Sequence, residues 1–318
     1  MKKKLENISI DITCKCNLKC KMCNLWEINK EGPSFDLILK TLKDAFDLGA
    51  RSFSPCGCEC FTRPDYIDIL EYAEAIGYNH IEIVSNGVLI NDEKISRLKN
   101  LKTLNINISI DGPQEIHDSL RGNGVYEKVI RNIHKLKANN ISFSFSSIIM
   151  KKTLFTLKHI IDLASEFEIK SVAMQPFQIN YTRNTDVSEF IFESKDKNLL
   201  SETLNEILNY SNKKNITIYN KSQFKDIPSF LCEGKFPRPI TGCQMPSKFI
   251  WINLNGNIYP CFFLSNIRPL MGNLYENDLK EIWQSDIHKA YQEYALEKKC
   301  SGCLASCSDI ETINNEMH

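Results

Sequence analysis

The sequence predicts an α/β fold, a partial, TIM-like (β/α)6 barrel followed by a small cysteine-bearing C-terminal domain. Three observations predict it. Short β-type runs and helical runs alternate six times between Ile8 and Met174, as a parallel sheet requires when each connection crosses over through a helix. The alternation stops near residue 176, short of the eight units that close a barrel. The tail from Cys243 onward carries five of the thirteen cysteines and a hairpin and helix of its own.

Each element has its own signal. Ile8-Ser9-Ile10-Asp11-Ile12 alternates with period two and is the first strand. Phe35, Leu39, Leu42 and Phe46 recur at helical spacing. Arg51 to Ser54 is a second strand, and Thr62-Arg63-Pro64-Asp65 opens a helix with Ile67, Leu70 and Ala73 on its inner face. His80 to Val84 is a third strand and Asn91 to Lys99 a third helix. Leu104 to Ile110 is a fourth strand, followed by a helix marked by Val125, Val129, Ile133 and Leu136. Ile141 to Met150 is a fifth strand, Leu157, Ile161 and Ala164 lie on a fifth helix, and Ser171 to Met174 is the sixth strand. Phe177 to Ser194 is polar and lacks a period, which suits a connecting segment. A helix from Leu199 to Ser211 and a β run from Ile216 to Tyr219 follow. The tail holds a hairpin at Asn255-Gly256-Asn257 and one amphipathic helix from Leu279 to about Leu296. The expected divisions are 1–180 for the barrel, 181–242 for the connector and 243–318 for the C-terminal domain.

Composition removes several function classes. The 39 basic and 39 acidic residues cancel, so no general attraction to nucleic acid or an acidic membrane is expected. The Met-Lys-Lys-Lys start runs directly into Leu5-Glu6-Asn7 with no apolar stretch behind it, and no later segment is long and apolar enough to span a bilayer. The cysteines are odd in number and tightly clustered, which points to metal or catalysis rather than to a disulfide framework. A reducing, cytoplasmic setting is expected. His80, His134 and His159 fall on strand or helix patterns and are read as structural or surface groups.

Cys16, Cys20 and Cys23 have the spacing C-x3-C-x2-C directly after the first strand. Three thiolates from one loop can hold three irons of a [4Fe–4S] cube and leave the fourth iron open. A zinc site without a fourth local ligand, or plain buried thiols, is the competing reading. Cys14 breaks the register and is read as a neighbouring thiol. The motif, its place after the first strand and the six β–α units resemble the radical S-adenosylmethionine (SAM) superfamily. Ser85-Asn86-Gly87 ends the third strand, where the family often reads T-N-G near the SAM ribose. Ser109-Ile110-Asp111-Gly112 ends the fourth, similar to the family's S-x-D-G. Arg121, within His117 to Gly122, resembles the arginine that meets the SAM carboxylate, and Gln175 ends the sixth strand where a polar residue faces adenosine. The resemblance implies that Glu59, Ser85, Asn86, Ser109, Asp111, Arg121 and Gln175 surround SAM. It also implies that the reduced cluster cleaves SAM to a 5′-deoxyadenosyl radical, which abstracts hydrogen from a substrate carbon.

One loop departs from the family pattern. Gly57-Cys58-Glu59-Cys60 stands where the family reads Gly-Gly-Glu-Pro, and Cys56 precedes it. Cys58 and Cys60 are candidate catalytic thiols able to donate hydrogen to a substrate radical. The competing readings are small buried substitutes and a further metal site formed with Cys56.

The tail resembles the SPASM or shorter twitch module of the same superfamily. Asn255 to Cys261, Gly272-Asn273-Leu274-Tyr275 and Ile282-Trp283 match its hairpin and helix. The resemblance implies one auxiliary [4Fe–4S] cluster held by Cys243, Cys261, Cys300 and Cys303. Cys307 is an alternative ligand and a four-cysteine zinc site the alternative metal. Cys232 lies outside the pattern, as a buried thiol or a catalytic one.

The function expected is a radical SAM oxidoreductase or epimerase acting on a small polar, sugar-like substrate. The first alternative is a peptide-modifying enzyme of ribosomally made precursors, and the second a non-catalytic iron–sulfur or zinc protein. Peptide-modifying relatives often carry an N-terminal leader-binding domain, and Cys16 lies too near the start for one in this chain. The expected partners are the substrate, small molecule or peptide, and an electron donor such as flavodoxin or ferredoxin.

Overall fold

The computed structural model describes residues 4–179, 182, 186–235, 242–262, 270–297 and 304. The barrel half contains β1 (Asn7–Thr13), α1 (Phe35–Asp47), β2 (Ser52–Gly57), α2 (Tyr66–Ile76), β3 (His80–Ser85), α3 (Asp92–Leu98) and β4 (Leu104–Ser109). It continues through α4 (Gln114–Arg121), α5 (Val125–Ala138), β5 (Phe143–Ile149), α6 (Leu157–Glu166) and β6 (Ser171–Pro176). Then follow α7 (Lys197–Lys213), β7 (Thr217–Ile218), α8 (Ile227–Glu233), β8 (Phe249–Ile252), β9 (Asn257–Tyr259), β10 (Gly272–Asn273), α9 (Leu279–Gln284) and α10 (Asp286–Leu296).

β1 to β6 form the expected parallel series with helices outside it. The sheet does not end there. Its order is β10-β9-β8-β1-β2-β3-β4-β5-β6-β7. β7 adds parallel to β6, and β8 of the tail adds parallel to β1 through Asn7↔Phe249 and Ile10↔Ile252. The C-terminal hairpin therefore extends the barrel sheet rather than forming one of its own. That placement covers the β1 edge, which would otherwise present unpaired backbone groups.

Every strand of the barrel has two unlike faces. Ile8, Ile10 and Ile12 have no exposed surface and pack with Ile38 and Leu42 of α1, each burial contributing roughly 1.5–3 kcal/mol. The helix is set by its Ser34 cap, whose Oγ accepts from Leu37 N. The opposite, concave face is polar. Ser9 and Asp11 stand in register with Ser54 and Cys56 of β2, and with Trp251 beside Ser9 on β8. Glu82 and Val84 pair with Asn105 and Asn107, then Ser109 with Ser146, and Ile148 with Gln175. Residues in register share a face, so the barrel floor mixes small and polar side chains with Trp251, Val84 and Ile148.

Two expectations are corrected, and one helix that the sequence reading did not name is added. Gln114–Arg121 is a helix, short because Gly122 ends it at positive φ. The single C-terminal helix is two, broken at Ser285, whose extended backbone and side chain cap α10 by accepting from His288 N. The connecting segment is also less polar than its pattern suggested. Phe177 and Phe190 pack with Met22, Leu120 and Met150 in a second apolar cluster beside the Cys16–Cys23 loop.

Candidate active site

The Cys16–Cys23 loop leaves β1 and is held from several sides. Cys23 N donates to Cys20 O (3.1 Å), Lys21 N to Leu120 O (2.8 Å) and Trp26 Nε1 to Cys23 O (2.9 Å). Met22 is buried in the second apolar cluster. The loop is thus docked on the C-terminal end of α4, the helix that ends with Arg121.

The three thiols are half-buried, and burial raises all three above the usual range, Cys16 to about 11. Arg121 opposes the shift at Cys20 and Cys23. Three soft donors with a guanidinium beside them suit a thiolate-bound iron cluster, because metal bonding replaces the lost hydration of each sulfur. Among the described residues no three Cys, His or carboxylate side chains already converge as a metal-binding group. The fit therefore rests on the donor chemistry and on the shared loop.

Arg121 Nε donates to Asp111 Oδ2 (2.7 Å), and Asp111 Oδ1 accepts from Ile148 N (3.1 Å). Asp111 is fully buried. Burial disfavours the charge on Arg121, and Asp111 outweighs it, so the guanidinium is held above its ordinary value. Breaking such a pair from one side costs about 3–5 kcal/mol, since it strands a buried charge. His117 completes the corner. Its Nδ1 accepts from Asp111 N (3.3 Å), and burial, with Arg121 adding to it, lowers its pKa to about 4. The ring is therefore neutral near pH 7.

Glu59, Ser85 and Asn86 are brought together, but toward one another. Ser85 Oγ donates to Glu59 Oε1 (2.9 Å) and Asn86 N to Oε2 (2.7 Å). Asn86 Nδ2 reaches Asn17 Oδ1 (2.8 Å) and lies 3.9 Å from the Cys16 sulfur. The reason lies in the sheet: β2 and β3 pair only at Ser52↔His80 and Phe53↔Ile81. Their C-terminal ends part, and the Glu59 carboxylate spans the gap. Burial raises this carboxyl to about 7, tempered by those hydrogen bonds. Ser109 and Gln175 lie farther along the concave face, in register with Ser146 and Ile148.

The cysteines of the departing loop go three ways. Gly57 has φ +128°, and a Cβ there would stand 1.8 Å from Thr13 O, so only glycine fits this crossing of β1 and β2. Beyond it, Cys58 N donates to Thr13 O (2.9 Å), and its thiol shares a hydrogen bond with Cys14 that keeps the proton on Cys58. Cys60, a candidate catalytic thiol by sequence, is placed away from the concave face. It is 2% exposed, packs in the main core against Tyr66, and its thiol points to the carbonyls of Pro55 and Cys56. Cys56 alone of the three stands on the concave face.

In the tail, Cys243 N donates to Ala295 O (3.0 Å), and at Gly242 a Cβ would stand 2.2 Å from Leu296 O. This close backbone approach sets Cys243 against the end of α10. Cys261 is buried after β9. Cys300, Cys303 and Cys307 lie outside the described residues. Cys232 is buried in the main core on α8. No pattern in the sequence marks Trp251, whose Nε1 donates to Asp11 Oδ1 (3.0 Å), or Tyr259, stacked on it at 5.4 Å. Both lie on strands of the tail, and only strand order brings them to the barrel floor.

Residues 10–164 match the family model of the radical SAM superfamily, and residues 243–304 that of the SPASM iron–sulfur cluster-binding domain. The chain is 24% identical over 312 residues to the AdoMet-dependent heme synthase of Methanosarcina barkeri, covering 93% of this chain and 87% of the relative. It is 26% identical over 331 residues to the antilisterial bacteriocin subtilosin biosynthesis protein AlbA of Bacillus subtilis, covering 98% and 68%. Streptococcus suis SuiB shares its fold with a TM-score of 0.73 at 18% identity, over 95% of this chain and 73% of that one.

Proposed function

The chain belongs to the radical SAM superfamily and carries a C-terminal SPASM domain, and from that premise we propose that it modifies a peptide. A [4Fe–4S] cluster and SAM, with auxiliary iron–sulfur clusters in the SPASM domain, are the cofactors of such a chain. When bound, they supply a carbon-centred radical that takes a hydrogen atom from substrate.

The observation that carries the peptide reading is the similarity to AlbA, a bacteriocin biosynthesis protein, over 98% of this chain. SuiB, whose fold the chain shares, is also known bound to its precursor peptide SuiA. The sugar-like substrate expected from sequence finds no such support. The similarity to an AdoMet-dependent heme synthase supports a small-molecule substrate instead, so the experiment below separates the two.

In this reading Cys16, Cys20 and Cys23 hold the cluster that binds SAM. Arg121, fixed by Asp111, stands beside them as the cation for the SAM carboxylate. Glu59 closes the gap between β2 and β3 and so sets the backbone of Asn86 near the ribose. Ser109 and Gln175 offer polar contacts farther along the floor. Cys243, Cys261, Cys300 and Cys303 hold one auxiliary cluster, which would exchange single electrons with an external carrier. The neighbouring apolar cluster of Met22, Leu120, Met150, Phe177 and Phe190 excludes water from the thiol loop.

The test is anaerobic reconstitution, followed by SAM and a reductant. The expected result is 5′-deoxyadenosine formation that is lost when Cys16, Cys20 and Cys23 are replaced by alanine, with about eight irons per chain from two four-iron cubes. Synthetic peptides encoded by short reading frames beside the gene are then added. A mass change in one of them supports the peptide reading. Turnover of a small molecule but of none of these peptides would overturn it.

A further inference from the structure

A stretch of the concave face, running in register from Trp251 past Ser9, Asp11 and Cys56 to Val84 and Asn107, holds none of the residues assigned to SAM. Its wall is aromatic: Trp251 stacks on Tyr259 at 5.4 Å and tilts against Phe262 at 4.9 Å. Its floor is Asp11, tied to Trp251 Nε1, and in register beside it Cys56. Ser9 Oγ lies 3.0 Å from the Cys56 sulfur and anchors it. Past the parting of β2 and β3 the floor opens, with Val84 52% exposed although it lies in the middle of the sheet. Next in register comes Asn107, 8% exposed, whose Oδ1 has no hydrogen-bond partner among the described residues. A buried acceptor left without a donor costs free energy, and the N–H of an extended peptide is the donor this one lacks.

We infer that Cys56 is the thiol that returns a hydrogen atom to the substrate radical, with the peptide laid across the floor between the Trp251–Tyr259 wall and Asn107. This rests on the peptide reading proposed above. The neighbouring cysteines are excluded by position, Cys60 in the core and Cys58 engaged with Cys14. The step balances as one hydrogen atom. The S–H bond of Cys56 breaks homolytically and a C–H bond forms on the substrate carbon, leaving a thiyl radical. One electron from an external low-potential iron–sulfur or flavin donor and one solvent proton restore the thiol. Delivery from the face opposite the abstracted hydrogen inverts the carbon, so the product is an epimerised residue. The thiol must keep its hydrogen until then, and burial, with Asp11 and Glu82 nearby, pushes it up to about 12.

One experiment tests this. The holoprotein is given SAM, titanium(III) citrate and the synthetic peptides of the preceding test in thiol-free D2O. A modified peptide is expected to gain one deuterium on the epimerised carbon. That label is expected to be lost in Cys56→Ser, at unchanged iron content and with 5′-deoxyadenosine still formed, and kept in Cys60→Ala. A wild-type product without deuterium, label that persists in Cys56→Ser, or label lost only in Cys58→Ser overturns this inference alone. A wild type that forms 5′-deoxyadenosine but alters no peptide overturns the peptide reading and this one with it.

Discussion

Asp11 stands where the barrel floor meets the aromatic wall of the tail. Burial raises its carboxyl from 3.8 to about 6, and the Trp251 N–H works against that rise. The sign follows from the direction of the shift. The folded state holds the proton more tightly than the unfolded chain, so this contribution to stability is fully present below 3.8 and is lost as pH rises through about 6. Urea midpoints followed across that interval should fall with pH in the wild type, and Asp11→Asn should remove this part of the slope. An unchanged slope would show that the carboxyl is not buried as described. At this scale the sequence exposed which cysteines carry a spacing, but not which way each one points. Cys56, Cys58 and Cys60 alternate in sequence as strand residues do. The strand ends at Gly57, so the period fails, and Cys60 turns into the core.

At the scale of elements, most strands and helices were legible because one face of each is apolar and the period shows it. The misses have different causes, and in the C-terminal helix a local hydrogen bond overrode the period. Ser285 interrupts what reads as one amphipathic helix because its side chain caps α10, and the buried His288 ring then bridges Trp283 O (2.7 Å) and Pro246 O (2.5 Å). These bonds tie both C-terminal helices to the segment leading into β8. Ser285→Ala should cost about 1 kcal/mol by loss of the cap, read as a lower denaturation midpoint. Ser285→Asp, which can also cap, should recover most of it. The α4 helix escaped notice because it is short, and its residues were read as a binding segment instead. Both descriptions hold, since the helix is what delivers Arg121 to the thiol loop.

At the scale of the whole molecule, the tail is part of the barrel's sheet. β8 pairs with β1 over Asn7 to Ile10 and with β9 on its other side. A chain ending at residue 242 would leave β1 as an edge strand in the middle of the molecule's apolar core. Such an edge pairs with other chains, so size-exclusion chromatography should show aggregates where the full chain elutes as a discrete species. A discrete, folded truncation would show that the barrel does not depend on the tail.

The sequence by itself determined the alternating architecture, the thiol loop and the C-terminal cysteine module. These are local facts: a period, a spacing and a resemblance carried by short runs. Only the tertiary structure decided that Glu59 braces two parting strands, that Cys56 rather than Cys60 faces the floor, and that Trp251 meets Asp11 across 240 positions of chain. Those outcomes depend on strand order and register. Strand order is set by which edges bury best against each other, and no single segment of the sequence carries that information.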